Sequence, residues 1–373
     1  MAADFESNGT GSSTLPFTAN RGRLVFIDNL RFFAVVLLIF FHTGMLFSFR
    51  DWYMNNAQRS KEITYGLFFS GNFRLTLLFF ASGYLARYLA QKMPLKDYVA
   101  KHLRFSAAAV LTGVLLINPA QIALENAAQP GRIPVALALY PQGLLSLHHL
   151  WFIVYLWGCI LVLYAFYRFA GSTVRMMNRY PLAFMAVSLL LIATIQSVRG
   201  FVATDARDTL GSWYSFAVYF AHFTCGVAVC SSRLDRAFSL PVVAALLTTA
   251  IALHAVYGYL RLFSVYHDAG WLPVLSLGSK AVTNMALLFL FMRLAARQPK
   301  PIGWLNSARR QIWFIYLWHQ PLILLWGLMA LPLTYPIAVK YAAVVALSTA
   351  SLYLLWRTAM LFPPRLRPFI ACK

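Results

Sequence analysis

Charge is scarce in this chain, and negative charge scarcer still. Of 373 residues 12% are charged, and only 11 are Asp or Glu against 32 Lys or Arg. Soluble globular domains carry about 25% charged residues and about 45 to 50% apolar ones. With 60% apolar residues this sequence falls outside that class. Cysteine is also rare. Cys159, Cys225 and Cys230 lie in apolar runs and Cys372 near the C-terminus, at spacings that fit no zinc or redox motif. Buried, unbridged thiols are expected, and no metal site. Basic clusters of the kind that grip nucleic acid are missing too. The net charge of +21 comes from cations that flank apolar runs, so the expected partner is a lipid bilayer and not nucleic acid. The first apolar run begins at Leu24, after a Ser/Gly/Thr-rich stretch without a basic n-region. No cleavable signal peptide is expected, and the first helix should stay as an anchor.

What the chain has is hydrophobic length. Apolar runs able to cross a hydrocarbon core lie at about 24 to 49, 65 to 88, 103 to 124, 148 to 168, 180 to 198, 212 to 231, 239 to 261, 272 to 292, 309 to 331 and 335 to 360. The expectation is an all-α, polytopic membrane bundle of about ten helices. Placing the N-terminus inside makes the inner segments about threefold richer in Lys and Arg than the outer loops, as the positive-inside rule requires. Both termini are then cytoplasmic. Residues 1–22 form a disordered tail, 23–362 one membrane domain and 363–373 a cytoplasmic C-terminal tail. No internal repeat or second domain is visible.

A charged side chain at the bilayer centre costs about 2.5 to 3.5 kcal/mol on insertion scales, so each one needs a partner, a wet cavity or a function. The first span carries Asp28, Arg31 and His42. Asp28 and Arg31 are three residues apart and neighbours on a helix surface. Arg31 and His42 are eleven apart, almost three turns, so they share a face about 16 Å apart along the axis. Two readings stand: an edge ion pair with a hydrogen-bonded core histidine, or a polar face leading inward to a reactive imidazole. Further intramembrane candidates are Arg74, His149, His222, Lys280 with Asn284, and His319. Lys280 can pair with Asp268 or snorkel outward. His222 reads as a satisfied core residue. His254 and His267 lie near the outer surface and read as solvated. His149 and Trp151 fit an interfacial aromatic belt as well as a site. His319 precedes Pro321, whose missing N–H frees a carbonyl one turn back, so a structural role at a kink competes with chemistry.

The stretch FIDNLRFFAVVLLIFFHTG at 26 to 44 resembles the opening helix of the membrane acyltransferase-3 family, which has an Asp-x-x-Arg unit and an Arg followed, after ten residues, by a His. Asp28, Arg31 and His42 stand at those places. NFRLTLLFFASGYLARY at 72 to 88, SLHHLWFIVYL at 146 to 156 and IWFIYLWHQPLI at 312 to 323 resemble the family's Ser-Gly-Tyr, His-Leu-Trp-Phe and Tyr-x-x-His helices. The run from FR through FASGY to MPLKDYVAKHLRF is similar to the branch that succinylates periplasmic glucans. One motif departs. Where the family usually has Arg-x-x-Arg, often followed by a proline, this chain has Lys101 and Arg104, then Ser106. Lysine keeps the charge but lacks the bidentate fork of a guanidinium.

The resemblance implies an enzyme of the bacterial inner membrane. It would transfer an acyl group, succinyl in that branch, from cytoplasmic acyl-CoA to hydroxyls of a glucan or other extracytoplasmic polysaccharide, without a bound cofactor. His42 would be the general base, with Asp28 holding Arg31. Arg31, Lys101, Arg104 and Arg74 would bind the donor. His149, Trp151, Lys280 and His319 are candidates for contact with the acceptor or acyl group. A succinyl carboxylate would need a cation, Arg74 or Lys280. Ser82 reads as a small packing residue and not as a nucleophile. The rival from another class is a transporter or flippase, since buried charges and broken helices also mark transport paths. A passive scaffold would leave His42 without a role. Oligomeric state is not readable.

Overall fold

The computed structural model describes residues 25–129, 148–169, 179–197, 213–231, 239–263, 271–297 and 311–363. Residues 1–22 and 364–373 of the two tails assigned from sequence, together with His267 and Asp268, lie outside the described residues. Among the described residues eleven α-helices follow in order: α1 Val25–Met45, α2 Lys61–Ala90, α3 Leu95–Thr112, α4 Asn118–Ala128, α5 Trp151–Phe169, α6 Pro181–Ser197, α7 Trp213–Ser231, α8 Leu240–Phe263, α9 Leu272–Arg297, α10 Ile312–Ala330 and α11 Ile337–Ala359. A π-helical turn, Gly113–Ile117, joins α3 to α4 in one rod, so ten rods stand where ten spans are expected. Eight are long and apolar enough to cross a membrane. The other two are α2, diluted by polar residues such as Asn72 and Arg74, and α6, which is 17 residues long. The second and third rods begin at Lys61 and Leu95, ahead of the expected 65 and 103, because polar turns at each start are helical too. Ser60 caps α2 by accepting from the Ile63 backbone N–H, 3.1 Å.

Apolar side chains point outward as well as inward. Leu190 on α6, Ile251 on α8 and Leu354 on α11 are 67%, 59% and 63% exposed. In water such faces would be unfavourable; in hydrocarbon they are the expected surface. With no hydrophobic drive between helices in lipid, close backbone packing must hold them together. The α2–α7 crossing shows how. A Cβ on Gly83 would lie 2.0 Å from the Phe223 carbonyl oxygen, and one on Gly226 would lie 2.0 Å from that of Phe80. The small residues of the Ser-Gly-Tyr unit therefore set a backbone-to-backbone contact, with Ser82 buried beside it. α1 packs between α2, α9 and α10, and α4 packs on α10. Cys159, Cys225 and Cys230 are unbridged, as expected.

Between α1 and α2 the chain folds back over the end of the bundle. Asn56 donates its backbone N–H to Leu46 O at 2.7 Å, and Ser60 to Phe47 O at 2.8 Å. Buried Lys340 on α11 clamps this loop, donating to Asn56 Oδ1 at 3.1 Å and to Leu331 O at 2.9 Å. Sequence reading passes over Lys340, which sits in an otherwise apolar run. His254, expected at the surface, is instead 2% exposed. Its ring packs edge-on against Phe69 and Phe73, and its Nδ1–H donates to Ala250 O at 3.0 Å. The α8–α9 pairing covers a position that hydropathy alone leaves at the membrane edge.

Candidate active site

One cavity of about 130 Å³ collects the polar groups of α1, α2, α5 and α10. Its wall includes His42, Arg74, His148, His149, Trp151, Tyr316 and His319, with Trp52 and Tyr53 supplied by the α1–α2 loop. His42, His149, Arg74, Trp151 and His319, five of the sequence candidates, are thus brought together from four separate helices. The His42 and His319 ring centroids are 5.2 Å apart, and those of His149 and His319 are 5.3 Å apart. Trp52 stacks on His42 at 5.5 Å. The Arg74 guanidinium, 4% exposed, lies 3.6 Å over the Phe41 ring, a cation–π contact.

Backbone chemistry sets the imidazoles. Pro321 has no N–H, so the Leu317 carbonyl lacks its helical partner. His149 Nε2–H fills the gap at 3.0 Å. A carbonyl only accepts, so the His149 proton is on Nε2 and its Nδ1 lone pair is left for the cavity. His319 Nδ1–H is shared between Tyr316 O at 2.8 Å and Ile315 O at 3.1 Å, which leaves Nε2 as its acceptor. Tyr316 donates its hydroxyl to the His149 carbonyl. Neither the His149 Nδ1, the His319 Nε2 nor the His42 Nδ1 has a hydrogen-bond partner among the described residues, and the same holds for Arg74 Nε and Nη1. Buried polar atoms are nearly always satisfied in folded proteins, so five such atoms around one cavity mark a place for polar ligand or water. Pro321 thus acts through the backbone: the carbonyl it leaves free orients a site histidine from another segment. Among the described residues no three His, Cys, Asp or Glu side chains form a metal-ligand set.

The remaining candidates lie elsewhere. Asp28 and Arg31 sit half-buried near the α1 N-terminus, with Arg31 close enough to Tyr98 and His102 of α3 to act on both electrostatically. Lys101 and Arg104 are exposed on that same α3. Lys280 does not reach the cavity. It lies near His222 and His254, between α7, α8 and α9. Sequence reading missed His148, Gln121 and Glu125. The doubled histidine of SLHHLW and an acid at the edge of an apolar run were the available signals.

A helical bundle with outward apolar faces and an inward cavity of unpartnered imidazole and guanidinium nitrogens defines a membrane-embedded protein with a polar reaction or binding chamber. The family described as "Acyltransferase domain" matches residues 24–357, and the chain belongs to it. It is a membrane acyltransferase. Two curated relatives are proteins called Glucans biosynthesis protein C, from Escherichia coli strains SMS-3-5 / SECEC and K12. Each is 30% identical over 141 residues, 36% of this chain and 36% of the relative. The match therefore spans about a third of those relatives' length. No solved structure is significantly similar.

Proposed function

We propose that the chain transfers an acyl group, succinyl, from a cytoplasmic acyl-CoA to hydroxyls of an extracytoplasmic glucan. It would do so in the bacterial inner membrane, with both termini on the cytoplasmic side. The observation that carries this reading is the convergence of His42, His149, His319 and Arg74 on one cavity, each with a nitrogen that has no partner among the described residues. A sugar hydroxyl does not ionise unaided at neutral pH, and an imidazole is suited to take its proton. His42 takes the proton as the hydroxyl oxygen attacks the thioester carbonyl, and CoA thiolate leaves. His149 and His319, bare on the cavity side, accept hydrogen bonds from neighbouring sugar hydroxyls.

Arg74 is the cation for the free carboxylate of a succinyl group. Its Nε and Nη1 have no hydrogen-bond partner among the described residues, so guanidinium N–H donors are left over for a carboxylate. Lys280, the other candidate for that role, is away from the cavity and is dropped from it. Arg31, Lys101 and Arg104, at the α1–α3 end, suit the phosphates of CoA. Lys101 would hold its phosphate as a point charge, where the family's arginine would hold it by a fork. The glucan acceptor is supported by the name of the curated relatives and by the aromatic wall of Trp52, Tyr53 and Trp151, since flat rings suit the apolar face of a pyranose.

The test is expression in a host lacking its own glucan acyltransferase, with mass spectrometry of the periplasmic glucans. A succinyl mass increment with the wild type, lost in His42→Ala at equal membrane level, is the expected result. An unmodified glucan with both forms removes glucan as the acceptor.

A further inference from the structure

His148 and Glu125 take no part in the chemistry assigned so far, yet His148 forms part of the cavity wall and Glu125 lies buried behind it. Gln121 and Glu125 are one turn apart on α4. The Gln121 amide nitrogen lies 2.9 Å from Glu125 Oε1 and 3.1 Å from His148 Nδ1. The Tyr53 hydroxyl approaches the same Nδ1 at 3.2 Å. All three side chains of this α4-to-His148 chain are 7% exposed or less.

An amide nitrogen can only donate, so His148 Nδ1 is an acceptor and the ring proton of the neutral imidazole sits on Nε2. Turning the Gln121 amide over would set its oxygen against Glu125 Oε1, which itself lies 3.8 Å from His148 Nδ1, so an ionised Glu125 holds the amide nitrogen toward both. His148 Nε2–H has no partner among the described residues. A φ of 38°, in the left-handed region that non-glycine residues seldom adopt, turns His148 in the 3-10 turn His148–Leu150 that leads into α5, and it and His149 both line the cavity. Neighbouring His149 and His319 carry the opposite arrangement, with protons on backbone carbonyls and lone pairs left over. The cavity therefore holds two imidazoles fixed as acceptors and one fixed as a donor.

We propose that His148 is a catalytic hydrogen-bond donor to the acyl carbonyl oxygen, with Gln121 and Glu125 as positioning residues that hold its tautomer. The assignment rests on the acyl-transfer reading above. As the hydroxyl oxygen bonds to the thioester carbon and its proton passes to the base, the carbonyl electron pair moves onto oxygen, where His148 Nε2–H meets it. Collapse re-forms the C=O bond, breaks the C–S bond and releases CoA thiolate, which takes the proton back from the base. The sum is an acyl thioester plus an alcohol giving an ester plus a thiol. His148 keeps its proton throughout.

The experiment uses the full chain, purified into lipid nanodiscs, with succinyl-CoA and the glucan as probes. The paired exchange Gln121→Glu with Glu125→Gln keeps the charge and volume of the pair but presents an acceptor to His148 Nδ1, moving the ring proton off Nε2. Loss of one oxyanion donor lowers kcat by about 10²- to 10³-fold. The expected result is a fall of about 100-fold in kcat with both KM values within about threefold, and an imidazole ¹⁵N spectrum in which His148 Nε2 changes from protonated to bare. If the exchange variant does not fold, His148→Gln and His148→Leu decide the matter. The Gln amide N–H stands near the place of Nε2 and should keep activity at least about tenfold above Leu. An exchange variant within twofold of the wild type, equal activity of the Gln and Leu variants, or a wild-type spectrum with the proton on Nδ1 would each overturn the assignment while leaving acyl transfer standing. A wild type that transfers no acyl group overturns both.

Discussion

Around His42 polar side chains from separate helices line a shared cavity, whereas His254 and Thr283 hydrogen-bond the carbonyls of their own helices. In the second cluster His254 donates to Ala250 O, Thr283 lies 3.3 Å from its ring nitrogen and donates to Ser279 O at 2.6 Å, and Lys280 acts on both His254 and His222. None of these residues lines the His42 cavity. Both regions hold buried histidines and a cation, so intramembrane charge by itself does not distinguish them. Unpartnered nitrogens do not distinguish them either, since His222 Nε2 also lacks a partner among the described residues; what distinguishes them is the cavity that the first set lines.

Substitutions on either side of that comparison should separate function from packing. The largest effect is expected from His42→Ala. General bases contribute about 10²- to 10⁴-fold, so acyl transfer should fall by at least about 100-fold while the amount of folded protein is unchanged. Gly83→Val should act through assembly alone. Its side chain meets the Phe223 carbonyl, which has no room to give, and overpacking of this kind costs about 1 to 3 kcal/mol or more. Thermal unfolding in detergent should drop by several degrees, and activity per folded molecule should survive.

Arg74→Gln is a sharper probe, since it should change which acyl group is used more than whether one is used. Preference for succinyl-CoA over acetyl-CoA should fall by about tenfold or more, read from competing donors in one reaction. An unchanged ratio would leave the guanidinium as a packing partner of Phe41. The smallest effect is expected from Lys280→Gln, with transfer and donor preference both within about threefold of the wild type. A large loss there would join the two clusters into one site and undo the distinction.

Much of this was legible in the sequence. Hydropathy alone gave the ten rods, because a 20-residue apolar run has few other options in a bilayer. The motif residues His42, Arg74, His149 and His319 meet in one cavity although 277 positions separate the first from the last. Pro321 foretold a freed carbonyl, but not that His149, on another helix, would occupy it. The α4 residues were not legible. Gln121 and Glu125 belong to a rod whose π-helical turn shifts the facing of everything after it, so helical spacing counted from α3 points them the wrong way. Lys280 shows the opposite failure. It has the right residue type at a plausible depth, and the α8–α9 packing turns it elsewhere.

The most direct measurement is acyl transfer by purified protein in proteoliposomes, with radiolabelled succinyl-CoA on one side and glucan on the other, for the wild type, His42→Ala and Lys280→Gln together. The cavity account predicts one CoA thiol released per ester formed by the wild type and by Lys280→Gln, and neither product from His42→Ala. Ester formation by His42→Ala at the wild-type rate would contradict it.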